Sequence, residues 1–328
     1  MLLTPEDKRS GLLVAVITGG RPQLKQRPTA KFLADLKRAG FTNICWVVAE
    51  RDADGYERDE HDLVVYPDKW AEGYAASHWM DTASYVPGTF YGAFVGREYA
   101  CLEAERRGCW GVLQLDDNID DVSVGRRSAA SWEVMRRHGE LAETTDILAA
   151  VALSTNGRMV GAQLTAVPGR QITVSRPGFP YSCFIERVGE GREHWFGPFE
   201  DDITHAFQYG TRAEPGTALV VPTLLYHKEV KSKTGMRSQY NHERSVNLHR
   251  VFPQSVQVIA KSKHANGQGG ESNARVFHHM NAGAIRNPQV VTDRELYRKV
   301  GERLKGLLSE LAEEQALSNR QKVHKRAR

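Results

Sequence analysis

The sequence predicts an α/β fold: a mostly parallel mixed sheet flanked by helices, with a C-terminal helical extension. Three observations predict it. From Leu12 onward, apolar runs of strand length alternate with stretches of helical periodicity, the order expected of a parallel sheet with crossover helices. One such run, Gly111-Val112-Leu113-Gln114-Leu115, ends abruptly in the acid cluster Asp116-Asp117-Asn118-Ile119-Asp120. In open α/β sheets the carboxyl ends of the strands are where ligands sit. Near the C-terminus, Leu296, Val300, Leu304, Leu307 and Leu311 recur at helical spacing.

Taken in order, Leu12 to Thr18 reads as a first strand and Thr29 to Ala39 as a helix stopped by Gly40. Ile44 to Ala49 and Leu63 to Tyr66 read as the second and third strands. A long helix from Gly92 to Arg107 closes on Gly108 and delivers the chain to the strand 111–115. Ala162 to Val167 and Gln171 to Ser175 have the pattern of a hairpin around Pro168-Gly169, and Thr217 to Val221 that of another strand. His264 to Asn273 is rich in glycine, serine and asparagine and reads as a mobile loop. Thr292-Asp293-Arg294-Glu295 is a capping box with Val291 and Leu296 placed as a hydrophobic staple, which starts the last helix. Beyond Leu317 the basic tail has nothing to bury and is expected to be disordered.

At 328 residues, 41% hydrophobic and 26% charged, the chain can bury a large core. No apolar stretch approaches the roughly 20 residues that span a bilayer, and the N-terminal residues lack a basic region followed by an apolar one. A soluble, non-exported protein that needs no membrane is expected. Cys45, Cys101, Cys109 and Cys183 form no Cys-x-x-Cys pair, which points to buried thiols rather than a zinc site or a disulfide framework.

Charge is informative where it is local. Arg320, Lys322, Lys325, Arg326 and Arg328 supply +5 of the formal +4, which leaves about −1 for everything before them. Between positions 226 and 264, Lys228, Lys231, Lys233, Arg237, Arg244, Arg250, Lys261 and Lys263 face only Glu229 and Glu243. Tyr226, Tyr240 and Phe252 lie within this cationic segment, which could track a phosphate backbone and stack a base, or form an ordinary solvated surface.

The acids carry the chemistry. Asp116, Asp117 and Asp120 repel one another unless a positive partner joins them, and hard oxygen ligands suit Mg²⁺ or Mn²⁺, which in turn can hold the phosphates of a nucleotide. Familiar alternatives fail. Gly19-Gly20-Arg21-Pro22 lacks the ending of a phosphate loop and the spacing of a dinucleotide fingerprint. Asp116-x-Asn118-x-Asp120 opens like a calcium loop, but Asp121 and Arg127 stand where glycine and glutamate are needed. A second acidic cluster, Glu200-Asp201-Asp202, follows the turn Gly197-Pro198 and opens a helix whose buried edge is Ile203, Ala206 and Phe207. Alone it could simply cap that helix. Together, one cluster can hold a metal–diphosphate while the other orients or deprotonates an acceptor hydroxyl.

On Asp116-Asp117-Asn118, Glu200-Asp201-Asp202 and His227 the chain resembles the metal-dependent glycosyltransferases of the GT-A fold. More narrowly, Gly96-Arg97-Glu98-Tyr99, Leu115-Asp116-Asp117-Asn118-Ile119 and Gly197-Pro198-Phe199-Glu200-Asp201-Asp202 resemble the TET-associated glycosyltransferases of phages and their relatives, including the base J glucosyltransferase. The resemblance covers roughly residues 11 to 255. It implies a GT-A-like nucleotide-diphospho-sugar transferase fold with an N-terminal arm (1–10), a nucleotide-sugar-binding half (11–125) and an acceptor-binding half (126–263). A mobile loop region (264–290), a C-terminal helix (291–317) and a basic tail (318–328) follow.

The resemblance also implies the roles. Thr18 and Arg21 line the nucleotide pocket, Arg97 helps to hold the donor, and Lys228 and Lys231 meet the diphosphate. Asp116, Asp117, Asn118 and His227 form the metal shell. Asn118 stands where the motif usually has an acid, which leaves open whether Asp116, Asp117 or both carry the ion. Asp201 is the expected base, with Asp202 second and Glu200 beside them. The implied reaction moves a sugar, with glucose expected, from a UDP-sugar to the hydroxyl of 5-hydroxymethylcytosine or 5-hydroxymethyluracil in DNA, with Mn²⁺ or Mg²⁺ as cofactor. The implied setting is the cytoplasm of a phage-infected bacterial cell. Two rivals remain: the same fold acting on a protein or polysaccharide acceptor, and an inactive transferase-like DNA-binding protein, for which Asn118 is the only hint.

Overall fold

The computed structural model describes residues 2–80, 85–87, 93–127, 134–165, 173–229, 241–261, 275–280 and 285–326. After a helical turn at Asp7–Gly11, the first strands are β1 (Leu12–Ile17), β2 (Ile44–Ala49) and β3 (Asp62–Tyr66), with helix α1 (Ala30–Arg38) crossing between β1 and β2. The short α2 (Glu50–Ala53) follows β2, and α3 (Asp68–His78) and α4 (Ala93–Arg106) lead to β4 (Gly111–Asp116). These elements match the βαβ reading of the sequence.

The sheet continues through β5 (Ile119–Arg127), β6 (Val134–His138), β7 (Gly157–Leu164), β8 (Arg176–Pro177), β9 (Cys183–Arg187) and β10 (Thr217–Lys228), with α5 (Leu141–Ser154) and α6 (Asp201–Thr211) between them. All ten strands join one mixed sheet in the order β3-β2-β1-β4-β9-β7-β10-β5-β6, with β8 on β10. The half around β1 is parallel: β1 pairs with β2 and β4, and β2 with β3. Beyond β4 the sheet turns antiparallel through β9, so a single sheet crosses the boundary expected near residue 125.

Because β1 sends its chain to β2 on one side and lies against β4 on the other, the carboxyl ends of β1 and β4 flank a topological switch point. That crevice receives the acid cluster. On one face of the sheet Leu12, Val14 and Val16 pack with the helices α1 and α5, and on the other Leu13 and Ala15 pack with α4 and α6. The alternation along β1 follows from the two-residue period of a strand.

Several expectations are corrected. Leu164 ends β7, most of the hairpin expected from Ala162–Val167 and Gln171–Ser175 lies outside the described residues, and Arg176, just beyond it, pairs with Val220 of β10. The strand expected at 217–221 runs on to Lys228. Pro222 did not stop it, because the pairing of β10 with β7 shifts register between Val221 and Leu225 and absorbs the missing N–H. The glycine-rich stretch 264–273 lies outside the described residues. Flanking it, α7 (Asn241–Val251) supports a separate two-stranded ribbon of β11 (Val256–Lys261) and β12 (Arg275–Met280).

The last helix, α8 (Arg294–Arg326), packs on α5 through Val300, Leu304, Leu307 and Leu311. It does not end near 317 as expected but continues as helix to Arg326. No glycine or proline follows Gly306, and the Ala, Glu, Gln, Lys and Arg residues there are strong helix formers, so nothing in the sequence breaks it. No helix among the described residues is long and apolar enough to cross a membrane.

Candidate functional site

Five of the segments that line one cavity of about 600 Å³ carry residues singled out from the sequence. The end of β1 runs into Thr18, Gly19, Gly20 and Arg21, the end of β4 into Asp116, Asp117 and Asn118, and the end of β10 supplies Lys228. Arg97 comes from α4, and Glu200, Asp201 and Asp202 open α6. Ten residues singled out from the sequence therefore line a single crevice: Thr18, Arg21, Arg97, Asp116, Asp117, Asn118, Glu200, Asp201, Asp202 and Lys228.

Arg97 is the hub. Much of its helix is enclosed, with Phe94, Val95, Ala100, Cys101 and Ala104 buried around it, and the guanidinium is itself buried while lining the cavity. Gly96 permits the close packing: a Cβ there would stand 2.9 Å from Ile17 Cγ2. Arg97 Nη2 donates to Asp116 Oδ1 at 2.8 Å and Nε to Asp201 Oδ2 at 3.0 Å, so one guanidinium bridges the two acid clusters. Its Nη1 is buried without a hydrogen-bond partner, leaving a charged donor to be satisfied. The guanidinium carbon lies 5.2 Å from the Phe184 ring centroid and 5.4 Å from that of Trp195, where a planar cation is favoured.

Asp116 receives a second cation. Lys228 Nζ donates to Asp116 Oδ2 at 2.7 Å and also to Ser182 Oγ at 2.7 Å. Burial opposes ionisation of Asp116, but Lys228 and then Arg97 outweigh it and hold the carboxyl well below the usual range. The turn after β4 is pinned by Thr29, whose Oγ1 donates to the Asp116 carbonyl at 2.6 Å and accepts from Ile119 N at 2.9 Å. Asp117 faces the other way, accepting from Thr18 Oγ1 at 2.8 Å and Arg21 Nη1 at 2.5 Å. Burial nevertheless leaves its carboxyl raised, with Arg21 only partly offsetting the loss of water.

At the start of α6 the balance tips the other way. Burial raises Asp201 despite Arg97, and burial followed by the neighbouring Asp201 pushes Asp202 up to about 8. Asp201 is largely enclosed, whereas Asp202 keeps part of its surface open to the cavity. Its Oδ1 also accepts from Ile203 N at 2.9 Å. Glu200 holds a left-handed backbone conformation (φ 49°, ψ 45°), unusual for a non-glycine residue and of the kind that re-aims a chain at a ligand site.

His227 is not brought into this cavity. Adjacent strand residues point to opposite faces, and with Lys228 directed at Asp116, His227 turns to Asp120, its Nδ1 lying 2.6 Å from Oδ1. It lines a separate cavity with Asp120, Asp121 and His138. Lys231, Lys233 and Arg237 lie outside the described residues. Asn118 Nδ2 donates to the Glu229 carbonyl at 3.1 Å and the Asn118 carbonyl accepts from Glu229 N at 2.9 Å, which ties the acidic turn to the end of β10. Asn118 Oδ1 is buried without a partner.

The donor set fits a hard divalent cation. Acids Asp52, Asp116, Asp117, Glu200, Asp201 and Asp202 outnumber cations Arg21, Arg51, Arg97 and Lys228 around the cavity, and the Asn118 amide oxygen is an unused oxygen donor. Among the described residues no three His, Cys, Asp or Glu side chains already converge as a metal cluster. The carboxylates of Asp116 and Asp117 are instead held by protein cations.

The sequence reading missed Ser182, Arg51 and Asp52. Ser182 precedes β9, whose apolar run is only Cys183-Phe184-Ile185 before Glu186 and Arg187 break the pattern. Arg51 and Asp52 directly follow β2, so the same carboxyl-end rule that singled out Asp116 would have found them.

No protein-family model matches the chain, and no curated protein matches it. A solved structure described as "Crystal Structure of a Mycobacterial Protein" superposes with a TM-score of 0.43 at 8% identity, covering 85% of this chain and 87% of that chain. A likeness at that level carries no argument about function.

Proposed function

We propose that the protein is a metal-dependent glycosyltransferase that moves a sugar, glucose being the one to test first, from a UDP-sugar to the hydroxyl of a 5-hydroxymethylpyrimidine in DNA. The observation that supports this reading best is the Arg97 bridge. It sets Asp116, at the carboxyl end of a strand of the nucleotide-type half-sheet, within one guanidinium of Asp201, at the head of the helix that carries Asp202. A cavity of about 600 Å³ is of the size that accepts a nucleotide-sugar. The DNA acceptor rests on the motif resemblance and on the cationic segment around 226–264.

Asp116 and the unpartnered Asn118 Oδ1 are the oxygen donors that would hold a divalent cation. When bound, the ion neutralises charge on the diphosphate. Arg97 Nη1 and Lys228 Nζ add fixed positive charge where the leaving group develops its own. Asp202 is the base in this reading rather than Asp201, because Asp201 Oδ2 is committed to Arg97 while the raised carboxyl of Asp202 suits proton exchange near neutral pH. In the step, the acceptor O–H gives its proton to the Asp202 carboxylate and the freed oxygen bonds the anomeric carbon. The bond from that carbon to the diphosphate oxygen breaks, and its electron pair leaves with UDP.

The test is incubation with UDP-glucose, Mn²⁺ and DNA carrying 5-hydroxymethylcytosine or 5-hydroxymethyluracil, followed by nucleoside mass spectrometry. A hexose added to one base is the expected result. Metal-dependent UDP binding without any sugar on DNA would move the acceptor to a protein or polysaccharide, and absence of UDP binding would overturn the transferase reading.

A further inference from the structure

Behind Arg97 lies a second polar centre that the proposed reaction does not use. Glu186 on β9 is fully buried and accepts five hydrogen bonds. Cys101 Sγ and Gln114 Nε2 reach its Oε2 at 3.2 Å each, and Trp195 Nε1 reaches the same oxygen at 2.9 Å. His205 Nε2 and Tyr209 OH reach its Oε1 at 2.6 and 2.9 Å. Both ring nitrogens of His205 face acceptors. Nδ1 lies 3.0 Å from Gln208 Oε1, and that amide is oriented by Nε2 donating to the His194 carbonyl at 3.1 Å.

A buried carboxylate with this many donors is a costly way to fill space, and an apolar side chain of similar volume would pack there without the loss of hydration. What the carboxylate does is connect. Cys101 belongs to α4, Gln114 to β4, and His205 and Tyr209 to α6, the three elements that carry Arg97, Asp116 and Asp201. The connection reaches Arg97 directly through Trp195. Its ring stacks on His205 at 3.9 Å with a 21° interplanar angle and on Phe184 at 5.7 Å, and the guanidinium rests against Phe184 and Trp195. Gln114 Nε2 also reaches the Arg97 carbonyl at 3.4 Å.

We infer that Glu186 is a positioning residue: it clamps Trp195, and through that ring it fixes the Arg97 guanidinium between Asp116 and Asp201. The reading of the cavity as a transferase site enters only through the activity arm of the test. The structural arm needs no substrate.

The structural arm follows solvent exchange of the Arg97 Nε–H by NMR in the full chain labelled with ¹⁵N-arginine. Glu186→Gln keeps the shape and removes the charge, and Trp195→Phe keeps an aromatic side chain and removes the indole donor. Asp146→Asn is the control for general destabilisation, because Asp146 is buried on the opposite face of the sheet, where it accepts from Leu2 N and Leu3 N at 2.7 and 3.0 Å. Exchange is expected to accelerate about tenfold or more in Glu186→Gln, the loss of one charge-assisted hydrogen bond. It should also accelerate in Trp195→Phe and stay at the wild-type rate in Asp146→Asn. If Glu186→Gln does not fold, Trp195→Phe decides alone. Wild-type exchange in the variants that fold, or equal acceleration in the control, overturns the inference. In the activity arm, Glu186→Gln should lower kcat about tenfold at unchanged KM for UDP-glucose. A wild-type protein that transfers no sugar would defeat the proposed reaction and leave the exchange result standing.

Discussion

Lys228 Nζ meets Asp116 Oδ2 at 2.7 Å, which closes the end of β10 onto the end of β4 across the two strands that separate them. The pair is partly enclosed, with side chains 28% and 22% exposed. Removing Lys228 leaves Arg97 as the cation that still meets Asp116 and takes one partner from Ser182. Lys228→Ala should therefore cost about 2 kcal/mol at pH 7, measured by urea unfolding. Asp116 is held below its unfolded value, so its stabilisation is complete above about pH 4 and is lost as the pH falls further. The difference between variant and wild type should accordingly shrink in acid. A cost that is the same at pH 3 and pH 7 would show that the pair is not what holds Asp116 ionised.

Asp202 has the opposite sign. Its carboxyl is pushed up to about 8 by burial and by Asp201, against about 3.9 for a free aspartate. Between those values the folded chain keeps a proton that the unfolded chain has released, so stability falls as the pH rises from about 4 to about 8. Asp202→Asn should be more stable than wild type at pH 8 by on the order of 1–2 kcal/mol, and equal to it near pH 4. The same substitution should abolish transfer, with wild-type activity rising toward pH 8 as the base ionises. Equal stability of the two proteins at pH 8 would remove the raised carboxyl from the account.

Arg97 cannot be replaced by the other cation. Its fork reaches two carboxylates at once, whereas an ammonium on a flexible stem serves one. Arg97→Lys should lose about 2–4 kcal/mol, the cost of leaving a buried carboxylate without its partner. It should also weaken UDP binding in the presence of Mn²⁺ by tenfold or more in a calorimetric titration. Wild-type affinity in Arg97→Lys would mean that the bridge serves folding alone.

The parts of this fold legible in the sequence are those where one period dominates. Val14, Val16 and Leu113 lie in largely apolar strands, and the acids at the carboxyl end of β4 stand out because nothing local neutralises them. Ten of the predicted site residues share one cavity for that reason. Helix α5 was invisible because Leu141–Ser154 is buried on nearly every side, so no polar stripe marks it. The Glu186 centre was invisible because its donors are scattered from Cys101 to Tyr209 and meet only after the sheet forms. His227 came from the motif resemblance, which carries no geometry, and on the strand its side chain turns to Asp120 while Lys228 enters the cavity.

That geometry gives a clean test for His227. Its ring is 51% exposed and bonded to Asp120, away from the Arg97 bridge. His227→Ala should change stability by no more than about 0.5–1 kcal/mol and leave Mn²⁺-dependent UDP binding unaltered, in contrast to Lys228→Ala one residue later. A loss of metal-dependent binding in His227→Ala would return it to the metal shell implied by the motif resemblance.

A further test falls on Gly197, which precedes the Glu200-Asp201-Asp202 cluster at the head of α6. A Cβ at Gly197 would fall 2.1 Å from Phe94 Cδ1, a buried ring on the helix that carries Arg97. The ring is fully enclosed and packs against Trp79 at 6.1 Å between centroids, so it has nowhere to retreat without moving α4. Gly197→Ala should cost about 1–3 kcal/mol in urea unfolding. Because the strain bears on α4 and on the turn before α6 together, it should also disturb the Arg97 contact to Asp201, seen as faster exchange of the Arg97 Nε–H. A destabilised Gly197→Ala protein with unchanged exchange would show that the two elements hold the bridge independently of the turn between them.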